Sequence, residues 1–90
     1  MLYMHILTWA PDKRDEVIER VKQIGMTHEG IKVIGTWVDA NGGRAFQLNE
    51  EPDDPKLGLK ANFAWNDLMK IEEIPVIEGG EFMKIVENMK

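Results

Sequence analysis

Residues 2–9, LYMHILTW, form a run of aliphatic and aromatic side chains that ends just before Pro11, as a strand does. In the following segment Val17, Ile18, Val21 and Ile24 recur at helical spacing. Asp12 can cap that helix or Pro11 can occupy its first turn, and Gly25 suits its exit. The segment 30–39, GIKVIGTWVD, is strand-like again, and Asn41-Gly42 then marks a hairpin. A two-residue type I′ turn there requires positive φ at both positions. The returning strand runs from Gly43 to about Glu50. Asp54 and Pro55 open a second helix whose apolar stripe is Leu57, Ala61, Ala64, Trp65 and Leu68. Residues 69–78 predict a fourth strand, which Pro75 assigns to a sheet edge. After Gly79-Gly80, the residues Phe82, Ile85, Val86 and Met89 predict a short tail helix that must dock to be stable.

This order predicts an α+β fold, a ferredoxin-like βαββαβ unit with a four-stranded antiparallel sheet and an extra C-terminal helix. The domain spans 1–78 and the tail helix 79–90. The first and third strands lie in the centre.

The strands lack the clean alternation of a sheet that is wet on one side. Leu2, Met4 and Ile6 oppose Tyr3, Leu7 and Trp9, and Ile71 and Ile77 oppose Ile74 and Val76. Two helices cover one face only, so the other exposes more apolar surface than a monomer normally carries. A second copy facing the first would bury it, with an interface of about 1,200–2,000 Å² or more. A tail helix folded back over its own sheet is the alternative. The expected partner is the chain itself, as a homodimer or a higher homo-oligomer built of dimers.

Composition narrows the setting. Ninety residues make one domain with a thin core, and 43% hydrophobic with 30% charged residues is a globular balance. The net charge is −5 and the bases are scattered, so no basic face for nucleic acid is expected. The absence of cysteine removes disulfide and thiolate chemistry and suits the cytoplasm. The first apolar run is too short for a membrane span and lacks a signal peptide's flanks, so no membrane partner is expected.

A two-residue hairpin sets Asp39 opposite Arg44, Trp37 opposite Phe46, Thr36 opposite Gln47 and Ile34 opposite Asn49. One face then carries Val33, Trp37, Phe46 and Leu48 and suits the helices. The other carries Ile34, Thr36, Val38, Ala45, Gln47 and Asn49 and suits an enclosed space between two sheets. A slip of one residue exchanges the faces. If Met4 and Ile6 face the helices, Tyr3, His5, Leu7 and Trp9 share the side of Gln47. Glu72 or Glu73, on the neighbouring strand, then approaches His5 and makes it a usable acid or base.

His5 is accordingly the candidate catalytic residue, with Thr36, Gln47 and Asn49 to orient a ligand and Tyr3 and Trp9 as apolar walls. The bland alternatives are common ones. A strand histidine usually bonds backbone or water, an Arg44–Asp39 pair usually closes a hairpin, and Trp9, Trp37 and Trp65 are most simply core. The acidic run Glu50, Glu51, Asp53, Asp54 reads as a solvated loop and helix start, and His28 as loop surface. His5 and His28 lie in different elements without metal-ligand spacing, so no metal is expected. No cofactor motif is present.

The segments MLYM, P-x-K-R-D at the first helix, TWVDANGGRAFQLNE and WNDLMKIEEIPV resemble a family of small proteins of unknown function. That family is placed among the dimeric α/β-barrel proteins, whose sheets pack face to face around a cavity. The resemblance spans residues 1–77, is most specific over Gly42 to Leu48, and leaves the tail as an addition. It implies the dimer but no assigned activity. The wider superfamily includes cofactor-free monooxygenases, isomerases and haem-handling proteins, whose catalytic residues vary and are not transferable. Three functions follow as expectations. One is a cofactor-independent oxygenase or isomerase acting on an aromatic or enolisable ligand. The others are a non-catalytic ligand sensor and a structural dimer with a filled cavity.

Overall fold

The computed structural model describes residues 1–89. Four seven-residue strands, β1 (Leu2–Thr8), β2 (Lys32–Val38), β3 (Arg44–Glu50) and β4 (Lys70–Val76), form one sheet. Its order is β2-β3-β1-β4 and every neighbouring pair is antiparallel. Helices α1 (Arg14–Ile24), α2 (Pro55–Trp65) and α3 (Gly79–Asn88) complete a ferredoxin-like α+β fold. A single 3₁₀ turn, Pro11–Lys13, leads into α1 with Pro11 at its start, and Asp12 does not cap. Gly25 closes α1 at φ 74°, its N–H donating to Val21 O. Asp54 caps α2 by accepting from Lys56 N–H, with Pro55 just inside, an arrangement that stabilises a helix by about 1 kcal/mol. Pro75 lies on edge strand β4, where the missing donor does least harm.

The hairpin keeps the predicted register by a different turn. Asp39 N–H donates to Arg44 O and Gly42 N–H to Asp39 O, so four residues make the connection. Gly42 alone is at positive φ (76°), and Asn41 is not. Two open pairs have replaced a tight turn of equal parity, so Trp37 still faces Phe46 and Thr36 still faces Gln47. Farther along, a bulge at Ile34 breaks the ladder, and Val33 rather than Ile34 stands opposite Asn49.

The helices cover the opposite face from the one expected. Leu7, Trp9 and Ile71 pack with Val17, Trp65, Leu68 and Met69, so α1 and α2 lie over the side that carries His5, Ala45, Gln47 and Asn49. Met4, Ile6, Phe46 and Leu48 share the outer side with Trp37, which is 57% exposed and no part of the core. The expectation ranked the faces by bulk. Small Ala45, 1% exposed, instead admits the helices, and the amides beside it are buried because they bond one another. The core is thin: among the described residues no large side chain is completely enclosed. Nor does α3 fold back over its own sheet, since all its residues but half-buried Val86 are exposed.

Candidate functional site

Alternation along β3 sends Ala45, Gln47 and Asn49 inward, and β1 adds His5 directly opposite Gln47. The Gln47 amide is fully engaged. Its Nε2 donates to Met26 O (3.1 Å) and Thr36 Oγ1 (3.1 Å), and its Oε1 accepts from Asn49 Nδ2 (3.0 Å). The chain of bonds ties the loop after α1 to two strands. It leaves Asn49 Oδ1 buried without a partner, in a residue only 3% exposed.

His5, 5% exposed, sits beside this chain. Its Nε2 is 2.6 Å from Oε2 of Glu51, which is as deeply buried, and its Nδ1 is 4.0 Å from Glu73 Oε1. The first distance is a short charge-assisted contact; the second is beyond hydrogen-bond range. One ring nitrogen is therefore held by a carboxylate while the other has a carboxylate nearby but no bond to it. The imidazole is oriented and has one side available.

Between the sheet and the two helices lies a cavity of about 320 Å³. His5, Ala45 and Asn49 form its floor, Val17 and Val21 of α1 one wall, and Asn62 and Trp65 of α2 the other. The lining is overwhelmingly apolar. Among the described residues, three buried side-chain atoms lack a hydrogen-bond partner, namely Trp9 Nε1, Asn49 Oδ1 and Asn62 Oδ1, and all three residues border this cavity. Each such atom costs roughly 1–3 kcal/mol if nothing meets it. These atoms are enclosed by protein, so a ligand would meet them only after a small shift of the side chains that carry them.

His28 also borders the cavity, and burial, followed by the charge of His5, pushes its pKa below the usual histidine value. Arg20 of α1 donates to Asp67 Oδ2 (2.8 Å) and to Ala64 O (2.9 Å) and lies 5.7 Å from the Trp65 ring centroid. The pairing raises the pKa of Arg20 and lowers that of Asp67, and it links α1 to the end of α2. Among the described residues no cluster of three or more histidine, cysteine or acidic side chains can hold a metal, and no helix is long and apolar enough to cross a membrane.

Compared with known proteins, the chain matches over residues 1–90 the family described as Domain of unknown function (DUF3303). The chain belongs to the DUF3303 family. No curated protein and no solved structure matches it. The family match takes in α3 together with the ferredoxin-like body.

Within this DUF3303 domain the residues singled out from the sequence are only partly assembled. His5, Trp9, Gln47 and Asn49 border one cavity. Tyr3 opens instead onto a neighbouring cleft of about 260 Å³ with Glu51, Leu59 and Glu73, and Thr36 touches the site through Gln47. Glu73 does approach His5, as the β1–β4 register requires. Arg44 closes the hairpin, its Nε donating to Asp39 Oδ2 at 3.0 Å. That bond and the Asn41 N–H hold the Asp39 carboxyl below its usual range, the backbone bond contributing most.

Three site residues escaped the sequence reading. Glu51 is not part of a solvated acidic run, since it lies under α2 against His5. Its signal was present: Gln47, Asn49 and Glu51 continue one side of a strand by steps of two. His28 is not loop surface, and nothing local marks it, because a tertiary contact brings its loop over the sheet. Asn62 sits on the stripe of Ala61 and Trp65 but is polar, and so was passed over.

Proposed function

We propose that this protein binds a small, mostly apolar carbonyl compound in the cavity between the sheet and α1/α2, and that His5 moves a proton on it. One observation carries the reading. His5, buried and oriented by Glu51 behind it, borders a cavity of about 320 Å³ whose lining residues Trp9, Asn49 and Asn62 each carry an unpaired buried polar atom. Small-molecule pockets begin at about 300 Å³, so the space holds a compact ligand and little more.

The chemistry follows from the atoms. Glu51 holds Nε2–H and stabilises the imidazolium when the ring takes a second proton at Nδ1. A ligand C–H beside a carbonyl gives its proton to Nδ1, and the C–H electron pair moves onto the carbonyl oxygen. Trp9 Nε1–H is a donor suited to that developing oxyanion. In a β,γ-unsaturated carbonyl compound the resulting dienolate takes the proton back at its γ carbon, which completes an isomerisation with no atom gained or lost. Asn49 Oδ1 and Asn62 Oδ1 accept from hydroxyl or amino groups that fix the ligand's orientation.

The test is proton exchange into a panel of small enolisable ketones in deuterated water, followed by NMR. Wild type accelerates exchange for at least one, and His5→Ala lowers the rate by roughly 10²–10⁴-fold. Exchange that survives His5→Ala rejects His5 as the proton carrier. Binding without exchange, read by fluorescence of Trp9 and Trp65, supports instead a ligand sensor that uses the same cavity.

We infer also that the protein acts as a homodimer of the dimeric α/β-barrel type. The outer face, with Trp37 57% and Ile74 41% exposed, supports this. A cytoplasmic setting accords with a chain free of cysteine.

A further inference from the structure

Two apolar surfaces of this chain lie uncovered. The first is the outer face of the sheet, where Met4, Ile6, Phe46 and Leu48 form the middle and Trp37 and Ile74 the flanks. The benzo edge of Trp37 lies over Gly35 so closely that a Cβ there would stand 2.6 Å from it. The second surface is α3. Phe82, Ile85, Val86 and Met89 fall on one side of it, and Glu81, Lys84 and Glu87 on the other. Phe82 is 51% exposed, Ile85 43% and Met89 78%.

The fold keeps the two apart. Glu78 is extended (φ −63°, ψ 144°) and its carboxylate accepts from Glu81 N–H at 3.1 Å, which fixes how the chain enters the helix. The molecule is 50 Å long and its radius of gyration is 15.0 Å. A compact chain of this length has a radius of gyration of about 12 Å. A ten-residue helix is shorter than the roughly 12–15 residues needed for stability in water, so α3 requires a surface to lie on.

We propose that α3 of each copy lies across the outer sheet face of a second copy, in a reciprocal exchange about a twofold axis. This rests on the homodimer reading and specifies its contacts. The occupant is a second copy because one chain displays both halves of the contact, and a twofold axis satisfies both at once without leaving an open end. The dimensions agree. The sheet face is about 23 Å along its strands and about 14 Å across them. The helix is about 15 Å long and about 10 Å wide, so it covers a little under half of that face. The uncovered remainder is left for the two sheets to meet. Counted as flat areas on both partners, two arms and that remainder come to roughly 900–1,000 Å², just below the range of about 1,200–2,000 Å² that a stable interface buries. Arg44 and Lys70, at one end of the face, are paired with Asp39 and Glu72, so apolar contact rather than charge joins arm and face.

Sedimentation velocity at micromolar concentration tests this with three full-length chains. They are wild type, an arm variant carrying Phe82→Glu and Ile85→Glu, and a face variant carrying Trp37→Glu and Ile74→Glu. All four positions are exposed in the single chain, so each variant keeps the body of the fold. Wild type sediments as a dimer, and each variant alone dissociates roughly 100-fold more readily. An equal mixture of the two regains dimer, because the intact arm of one meets the intact face of the other. A wild type that stays single overturns both the homodimer and the exchange. A dimeric wild type whose arm variant remains fully dimeric, or a mixture without rescue, overturns the exchange and leaves the homodimer standing.

Discussion

The two faces of the sheet differ in the opposite sense from a simple rule of burial. The inner face, under the helices, holds His5, Gln47, Asn49 and the neighbouring Glu51, all less than 10% exposed. The outer face is built from Met4, Ile6, Phe46, Leu48 and Trp37, and no element of the chain lies over it. Polar groups went inward because they form a connected set, Met26 O and Thr36 to Gln47 to Asn49, and His5 to Glu51. A connected set loses little on burial, whereas isolated polar atoms lose much. The residues that carry the atoms left over, Trp9, Asn49 and Asn62, all line the cavity between the sheet and the helices. The outer face has no such logic within a single chain and acquires one only with a partner. Inner polarity therefore speaks of a ligand, and outer apolarity of another protein surface.

That contrast can be broken in three places. The largest effect is expected from Gln47→Leu, which removes the amide holding Met26 O, Thr36 Oγ1 and Asn49 Nδ2. Urea unfolding is expected to show a loss of about 2–4 kcal/mol, as two or more buried groups lose their partners. A neutral result would mean that the amides bond water rather than one another.

A smaller effect on folding, but a decisive one on assembly, belongs to Trp37→Glu on the outer face. At dilutions where single chains prevail, its folding free energy changes by no more than about 0.5 kcal/mol, since the side chain is already exposed. The wild-type melting temperature rises with protein concentration, and that of the variant does not. Equal concentration dependence in both would sever outer apolarity from self-association.

The smallest effect is the pH response of His28. Burial lowers its pKa in the folded chain, so the unfolded chain binds the proton more readily. Stability is therefore greatest above the ordinary histidine pKa of about 6.5 and falls as pH drops through it towards the lower folded value. His28→Gln removes that slope between neutral and mildly acid pH. An unchanged slope would place His28 in water and out of the cavity.

Much of this was legible in the pattern of side chains. The element order follows from period and punctuation: Pro11, Gly25, Asp54-Pro55 and Gly79-Gly80 stand where helices begin or end. The hairpin register survived a wrong turn type because both connections have the same parity. The sequence also put His5 on the side of Gln47 and named Glu72 or Glu73 as its neighbour, and the β1 registers set His5 opposite both Gln47 and Glu73. Large apolar side chains on both sides of the sheet, Leu7 and Trp9 on one and Met4 and Ile6 on the other, were legible in the sequence alone.

Which side the helices would take was decided only in three dimensions. Parity tells which residues share a face, and the right-handed sense of the crossovers fixes the side the helices take, but neither says which parity set of side chains points to that side. The choice fell to packing: Ala45 leaves room for helices, Trp37 and Phe46 do not, and Glu51 closes under α2 to meet His5. The cavity, with His28 and Asn62 at its walls, is a product of that same choice, because it exists only where helices bridge a floor of small side chains.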